Sequence, residues 1–427
     1  MRRCGAIMRP RRAALALAVL CGVWTAAAGL TAANDTTSEV RALWVLRTSL
    51  TTPSAIATLV KTAHDHGFNT LLVQVRGRGD AYYTTALEPR AADLARQPAS
   101  FDPLATVIDE AHAAGLRVHA WMNVVLVSSA VDLPAAREHL VYEHPDWLMV
   151  PRPIAQDLAH VDPTSPAYIG KIARWTRGEL DAVEGLYASP LIPQAGAHVQ
   201  AVVADVAKRY AVDGIHLDYL RYPNEQFDYS RFAIAEFRTE IRQHLPPALR
   251  RDLDAREAVD LFAYPDQFPD DWRTFRRTRL SALMARLRSA VRTARPSALL
   301  TVAVAPEAQD AFDHRLQDWR TWVEGGLVDA VCPMAYTTEP ARFAQQIEEA
   351  RHIAGSRAVW AGIGSYRLTP EQTIDNILAA RRIGAAGFVL FSYDSLTGPR
   401  QTAADYLAVV ARGMGATVRT TTDPGSR

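Results

Sequence analysis

Short apolar runs rich in β-branched residues recur along the chain and alternate with longer amphipathic stretches. Runs of this kind predict buried strands, whereas apolar residues spaced by three and four predict helices. The amphipathic stretches Pro53–His66 and Pro370–Ile383 are two such helices. Eight runs are predicted to be strands: Arg41–Thr48, Asn69–Arg76, Leu116–Val124, Val212–Leu220, Leu299–Ala305, Val328–Tyr336, Ala358–Ser365 and Gly387–Asp394.

The alternation of strand and helix sets the expected fold class, which is α/β. Strands separated by helices pair in parallel through right-handed crossovers. Eight consecutive units favour a closed (β/α)8 TIM barrel over an open doubly wound sheet, which is the alternative. No G-x-G-x-x-G follows a strand, so a dinucleotide-binding sheet lacks its motif. The long segments Ser128–Val199 and Arg221–Asp271 predict extended loops after strands 3 and 4, on the face where barrels bind substrate.

The first 33 residues have the layout of a secretory signal peptide. Five arginines in Met1–Arg12 precede the apolar run Ala13–Trp24, which is too short to span a membrane. We therefore expect export to the periplasm or the outside of the cell, with an uncleaved anchor as the alternative. Residues 39–411 are the expected catalytic domain, and the polar residues 412–427 are expected to form a disordered tail.

Composition narrows the classes of partner and cofactor. Lys and Arg number 47 against 46 Asp and Glu, so the chain has no basic footprint for nucleic acid. Cys332 is the sole cysteine beyond the signal segment. The motifs H-E-x-x-H, C-x-x-C and G-x-S-x-G are absent from the sequence, which gives no cue for a metal site, a cofactor or serine esterase chemistry.

Two carboxylates lie near the ends of adjacent predicted strands, Asp218 within the fourth and Glu307 just after the fifth. Side chains alternate with period two along a strand, which points His216 and Asp218 into the barrel, with Asp218 at its mouth. The same parity on the next strand carries through Ala303 and Ala305 to Glu307. The alternatives are a structural ion pair of Asp218 with Arg221, and a solvated loop that begins at Glu307.

A pair of carboxylates, one protonated and one ionised, is what most glycosidases use to cleave a glycosidic bond. We therefore predict Asp218 and Glu307 as catalytic residues. Polar and aromatic side chains at other strand ends suit the hydroxyls and apolar faces of sugars. The predicted substrate-binding residues on these grounds are Arg76, Asn123, His216, Tyr336 and Asp394.

Several segments resemble the glycosyl-hydrolase-like 10 family of bacterial envelope proteins over residues 39–411. These are R-A-L-W-V, L-L-V-Q-V-R-G-R-G-D-A-Y-Y, L-R-V-H-A-W-M-N and, most specifically, V-D-G-I-H-L-D-Y-L-R-Y-P. The resemblance implies a TIM-barrel glycosidase fold, export, and action on glycans, with envelope or peptidoglycan strands as a target. It also points to Asp218, Arg221 and Tyr222 at the site.

The sequence thus predicts an exported glycoside hydrolase that cleaves O-glycosidic bonds of a polysaccharide. The alternative from another class is a non-catalytic barrel that binds envelope glycans. A polysaccharide deacetylase or another metal hydrolase is the third hypothesis.

Overall fold

The computed structural model describes residues 39–399, 401–403 and 405–415. The predicted signal segment lies outside the described residues, as do residues 416–427 of the predicted tail. The last helix runs through Met414, so residues 412–414 belong to that helix and the tail boundary predicted at Arg412 is three residues early.

Eight parallel strands close into a barrel in the order β1-β10-β9-β8-β7-β6-β3-β2, and a short antiparallel pair, β4 and β5, lies outside it. Every predicted strand is one of the eight barrel strands, and closure confirms the TIM barrel over the open sheet. The strands are β1 Val40–Val45, β2 Thr70–Arg76, β3 Arg117–Asn123, β4 Leu126–Ser128, β5 Leu186–Tyr187, β6 Gly214–Asp218, β7 Leu299–Val304, β8 Ala330–Ala335, β9 Ala358–Ile363 and β10 Gly387–Phe391.

The helices begin where the sequence supplies starting signals. Thr52 and Asp102 accept a hydrogen bond from the first turn of the following helix, and each is followed by a proline, whose fixed φ suits that position. The helices are α1 Pro53–Asp65, α2 Pro103–Ala113, α3 Leu140–Glu143, α4 Arg152–Leu158, α5 Pro166–Gly178, α6 Pro193–Arg209, α7 Arg231–Arg242, α8 Pro247–Glu257, α9 Ala263–Gln267, α10 Pro269–Ala294, α11 Ala308–His314, α12 Trp319–Glu324, α13 Pro340–Ala354, α14 Pro370–Ile383, α15 Tyr393–Thr397 and α16 Tyr406–Met414.

Alternate strand positions fill two different parts of the core. Ile215 and Leu217 of β6 belong to the apolar layer between barrel and helices. Trp44, Trp121 and Cys332 belong to the cluster that fills the barrel interior. The side chains that point into the barrel include polar ones, such as Asp218 at the end of β6. They lie at the end of the barrel where the strands finish.

The connections from β3 to β6 and from β6 to β7 are longer than the others and contain secondary structure of their own. The first holds β4, β5 and α3 to α6, and the second holds α7 to α10. Their apolar side chains, among them Tyr168, Phe237 and Trp272, pack into a cluster separate from the barrel core. No helix within the described part of the chain is long and apolar enough to cross a membrane.

Arg76 is the charged centre of a buried network, not a substrate residue. Its guanidinium donates to Glu88 at 2.6–2.9 Å and also to the carbonyl of Asn123, and it is 1% exposed. Glu88 in turn contacts His198 Nε2 at 3.2 Å. The prediction that Arg76 holds substrate hydroxyls is therefore wrong. A buried guanidinium requires a counter-charge, and the donors of Arg76 are taken up by Glu88.

Glu88→Gln should lower the free energy of unfolding by about 3–5 kcal/mol, because the Arg76 charge is then left buried without its counter-charge. Burial alone would raise the pKa of Glu88, but Arg76 and His198 outweigh it and lower the pKa to about 2, from 4.5 for a free side chain. The folding free energy that ionised Glu88 contributes is fully present above pH 4.5 and is lost as the pH falls towards 2. Denaturant unfolding at several pH values measures both effects.

Glu307→Gln is the matched control, since Glu307 pairs with Arg342 at a partly exposed position. Exposed pairs contribute roughly 0–1 kcal/mol, so the control should unfold almost as the parent does. Equal stability losses for the two variants would contradict a structural role for the buried network.

Candidate active site

A cavity of about 660 Å³ opens at the end of the barrel where the strands finish. Its lining includes the final residues of three strands, Asn123, Asp218 and Phe391, which places it on the face where TIM barrels carry their chemistry. A second cavity of about 670 Å³ lies among α4, α5, α7 and α8 and has no barrel strand in its lining. The strand-end cavity is therefore the candidate active site.

Asp218 lies in this cavity as the parity of β6 predicts. Its Oδ2 accepts a hydrogen bond from Trp121 Nε1 at 3.1 Å, and its Oδ1 accepts one from the Tyr219 amide at 2.6 Å. Burial raises the pKa of Asp218 above its ordinary value, although Arg221 and these two donors oppose the shift. The environment therefore favours the protonated carboxyl.

The backbone turns sharply after Asp218. Tyr219 has φ +50°, a left-handed conformation that costs free energy for a residue with a bulky side chain. The turn brings Arg221 back over the Tyr219 ring, 4.7 Å from its centroid, and into the cavity wall. Strained backbone next to a buried carboxyl is typical of functional sites.

Arg221 does not form the ion pair with Asp218 that one of the alternatives predicted. Its Nη2 donates to Glu184 Oε1 at 3.0 Å, and its buried Nη1 finds no hydrogen-bond acceptor among the described residues. Burial acts against its charge, but Tyr187 and Glu184 hold the pKa of Arg221 above its ordinary value. Arg221 is thus a buried cation in the cavity wall that is paired with Glu184 and has one donor without an acceptor.

Glu184 is a second carboxylate in the same cavity. It precedes β5, whose Tyr187 hydroxyl donates to Glu184 Oε2 at 2.6 Å, and 43% of its side chain is exposed. Partial burial would raise the pKa of Glu184, but the Arg221 charge and the Tyr187 hydrogen bond outweigh it and lower the pKa. The charge of Glu184 in turn contributes to the raised pKa of Asp218. The pKa values of the two carboxyls are thus displaced in opposite directions.

Aromatic rings surround the carboxyls. Tyr336 and Phe391 stack with centroids 5.4 Å apart, and Trp44 and Trp121 lie within 6.0–6.4 Å of Phe391. All four line the cavity. Asn123 also lines it, with Nδ2 donating to the Gly77 carbonyl at 2.7 Å and a buried Oδ1 that has no partner among the described residues. Apolar faces beside unpaired polar atoms suit a sugar ring.

Glu307 is not brought to Asp218. The strand β7 ends at Val304, Glu307 directly precedes α11, and its Oε1 accepts hydrogen bonds from Gln346 at 2.7 Å and Arg342 at 2.9 Å. Those contacts place the carboxylate against α13 in a separate cavity and lower its pKa, although partial burial acts in the other direction. The predicted inward orientation is wrong, because strand parity stops where the strand stops.

Three other predicted substrate residues are not part of the cavity lining. His216 is fully buried below it, where Nε2 accepts from Trp44 Nε1 at 3.0 Å and Nδ1 contacts Thr301 at 2.9 Å. Burial lowers the pKa of His216, so it is a neutral part of the barrel core. Tyr222 is also fully buried. Asp394 accepts from the Leu46 amide, Thr48 and Ser49, and so shapes the loop after β1.

Sequence reasoning missed Glu184 and the arginines Arg47 and Arg78, which also line the cavity. Glu184 lies in the long segment that was expected to build the substrate site, but that segment holds many acidic residues and no periodicity singles one out. No group of three or more His, Cys, Asp or Glu suited to a metal ion occurs within residues 39–399, 401–403 and 405–415.

The closed parallel barrel, with a carboxyl-bearing cavity at the ends of its strands, defines a protein of the TIM-barrel class. A family model narrows this class. The chain belongs to the glycosyl hydrolase-like 10 family, whose model matches residues 39–366.

The chain is similar to glycosyl hydrolase DigH of Escherichia coli K12, with 26% identity over 63% of this chain and 55% of DigH. It is also similar to glycosyl hydrolase YngK of Bacillus subtilis, with 24% identity over 63% of this chain and 46% of YngK. The chain thus spans about half the length of these curated relatives. The PgaB (BpsB) glycoside hydrolase domain of Bordetella bronchiseptica shares the fold, with a TM-score of 0.58, 16% identity, and coverage of 87% of this chain and 98% of that domain.

Proposed function

We propose that this protein is an exported glycoside hydrolase that cleaves O-glycosidic bonds of an envelope polysaccharide such as the glycan strands of peptidoglycan. The observation that carries the proposal is the pair Asp218 and Glu184, two carboxyls in one aromatic-lined cavity whose pKa values are displaced in opposite directions. Such divergence separates the acid of a glycosidase from its ionised partner. The signal-like first 33 residues support export.

Asp218 is the proton donor in this mechanism. Its protonated carboxyl gives its proton to the glycosidic oxygen as the bond to the anomeric carbon breaks, so that the leaving sugar departs as a neutral alcohol. Glu184, ionised and held by Arg221, supplies the negative charge at the anomeric carbon, either by direct attack or by removing a proton from the attacking water. After direct attack, the Asp218 carboxylate removes a proton from the water that breaks the bond between Glu184 and the sugar, which restores both residues. When Glu184 instead activates the water, Glu184 releases the proton it took and Asp218 regains one from solvent.

Membership of the family and the names of two relatives support the class of reaction. Release of new reducing ends from purified peptidoglycan glycan strands tests it directly. A hydrolase increases reducing ends with time and with enzyme concentration. A glycan-binding barrel, the alternative function, retains the aromatic residues and releases none, so strands that bind without being cut would replace the proposal by that alternative.

The pH dependence of kcat/KM should be bell-shaped. Activity rises with pH as Glu184 ionises, at a pKa below its ordinary value, and falls as Asp218 loses its proton, at a pKa above its ordinary value. The charge of Arg221 lowers both pKa values, so Arg221→Gln should move both limbs to higher pH. Initial rates of reducing-end release across roughly pH 2–8, which extends on both sides of the ordinary carboxyl values near 4, measure the shift.

Arg342→Gln is the control for this experiment, because Arg342 is exposed and pairs with Glu307 outside the cavity. Its profile should superimpose on that of the parent. Limbs that stay in place in Arg221→Gln would mean that groups other than Asp218 and Glu184 control the rate.

A further inference from the structure

The cavity of about 670 Å³ among α4, α5, α7 and α8 lies within the long connections that follow β3 and β6. No described residue lines both this cavity and the candidate active site. Its lining is mostly apolar and includes Val150, Leu158, Val161, Ile234 and Leu261. Small-molecule pockets have volumes in this range and combine apolar walls with a few placed polar groups. The cavity therefore suits a ligand with an apolar body.

One polar side chain in the apolar wall has no partner. Tyr168 of α5 lines the cavity and is only 5% exposed. Its hydroxyl makes no hydrogen bond with any residue in the described part of the chain, and the oxygen is not enclosed by protein atoms. A hydroxyl that is largely withdrawn from water and borders a cavity without a partner is a donor for a ligand.

The Tyr168 hydroxyl keeps its proton and has charged neighbours. Burial raises the pKa of Tyr168, and the charges of Asp228 and Asp146 raise it further, whereas the charge of Arg231 opposes the shift. The hydroxyl is therefore a neutral donor throughout the neutral pH range. The opposing influence of Arg231 also shows that a cation lies near the hydroxyl.

Arg231 supplies this positive charge at the rim of the cavity. It lines the cavity and is solvent-exposed, and its Nη1 donates to the Ala159 carbonyl at 3.1 Å. Its guanidinium forms no ion pair with any residue of the described ranges. The other arginine of the lining, Arg238, is paired with Glu257 at 2.7 Å. A guanidinium has several N–H donors, so the single bond to a carbonyl leaves others for a ligand.

The backbone adds to the positive potential at this wall. The helix α7 begins at Arg231, and Ser230, which caps it, also lines the cavity. The Ser230 hydroxyl accepts from the Ala233 amide, while the amides of Arg231 and Phe232 donate to no described residue. The positive end of a helix dipole and its free amides favour an anion.

Carboxylates in the lining oppose an anion only in part. Glu257 pairs with Arg238, and Asp254 pairs with Arg242 at 2.6 Å. Asp146 is exposed and forms no ion pair within the described part of the chain. The lining thus holds one cation and one carboxylate that are not neutralised by an ion pair, and the hydroxyl and the helix N-terminus join the cation in offering donors.

We propose that this cavity binds a single-chain amphiphile with an anionic head, the aliphatic chain among the apolar side chains and the head at Arg231 and Tyr168. A carboxylate or phosphate head accepts charge-assisted hydrogen bonds from a guanidinium. The aliphatic chain gains free energy by leaving water. The site is separate from the proposed hydrolase site, so either one stands without the other.

Four amphiphiles that share one chain and differ in the head test the proposal: decanoate, decyl phosphate, decanol and decylamine. Calorimetry with the purified protein, below the micellar concentration of each probe, measures their affinities. The two anions should bind at least about tenfold more tightly than decanol, which makes no charge-assisted hydrogen bond, and decylamine should bind most weakly. The order of the two anions then identifies the preferred head.

Charge substitutions test where the head lies. Arg231→Gln should remove the preference for the anions over decanol and leave decanol binding as in the parent. Asp146→Asn should tighten the binding of decanoate and weaken that of decylamine, because it removes a negative charge near the head.

A matched pair of substitutions tests where the chain lies. Ala258→Phe places a ring in the cavity and should weaken all four probes by at least about tenfold, since the ring and the aliphatic chain cannot share the space. Val259→Phe is the control, because Val259 is 81% exposed and does not line the cavity. Its affinities should equal those of the parent, and melting temperatures verify that both variants are folded.

Equal binding of decanoate and decanol, or tightest binding of decylamine, would overturn the anionic head. Failure of both anions to bind, or affinities that Ala258→Phe leaves unchanged in a folded protein, would overturn the site as a whole.

Discussion

Asp218→Asn should reduce kcat for glycan hydrolysis by about 10²–10⁴-fold, because an amide cannot donate the proton that the leaving oxygen requires. The side chain keeps its shape, and the amide oxygen can still accept from Trp121 Nε1, while the amide nitrogen cannot accept from the Tyr219 N–H. Substrate binding should therefore change little. The loss falls on kcat, which is the signature of an interaction made in the transition state.

The stability of the same variant relative to that of the parent should rise with pH. Burial raises the pKa of Asp218, so the ionised carboxyl costs folding free energy once the pH exceeds the folded-state pKa. Asparagine removes that cost. The melting temperature of the variant minus that of the parent should be constant at low pH, where the carboxyl is protonated in both the folded and the unfolded chain, and should become more positive as the pH rises.

Opposite effects on activity and stability separate a catalytic carboxyl from a structural one. Reducing-end assays and thermal unfolding on the same preparations supply both numbers. An Asp218→Asn variant that hydrolyses glycan at nearly the parent rate would exclude Asp218 as the proton donor. A variant that is inactive because it is unfolded would show instead that the carboxyl supports the barrel.

Glu184→Gln should reduce kcat by a similar factor, about 10²–10⁴-fold, since it removes the ionised partner of the acid. Glutamine keeps one oxygen that can accept from Arg221, and its amide nitrogen can donate to the Tyr187 hydroxyl, but it carries no negative charge to place at the anomeric carbon. The acid limb of the pH profile should disappear together with the activity.

Glu307→Gln is the decisive comparison, because strand parity predicts Glu307 as the partner of Asp218 while the coordinates place it against α13. Near-parental activity in Glu307→Gln, beside a large loss in Glu184→Gln, is the expected pattern. The reverse pattern would reinstate Glu307 and would require its carboxylate to leave Arg342 and Gln346 during the reaction.

Corrections to the predicted site follow from burial and charge. His216 points inward as its strand predicts, but it lies two residues before the end of β6 and is paired there with Trp44 and Thr301. Arg76 ends β2 after a shift in its register with β3, and its guanidinium is paired with Glu88. Parity along a strand distinguishes inside from outside and does not give depth. Asn123, Arg221 and Tyr336, which lie at or just beyond the ends of β3, β6 and β8, are the predicted substrate residues that line the cavity.

The amino-acid sequence by itself determined the eight strands, the parallel barrel and the inward direction of Asp218, because these follow from periodicities that extend over a few neighbouring residues. The tertiary structure alone decided which carboxyl accompanies Asp218. Glu184 reaches the cavity from an insertion of irregular path, and Glu307 turns away within three residues of the end of β7. It also decided which arginines remain unpaired, since a charge is neutralised by groups close in space, whatever their distance along the chain.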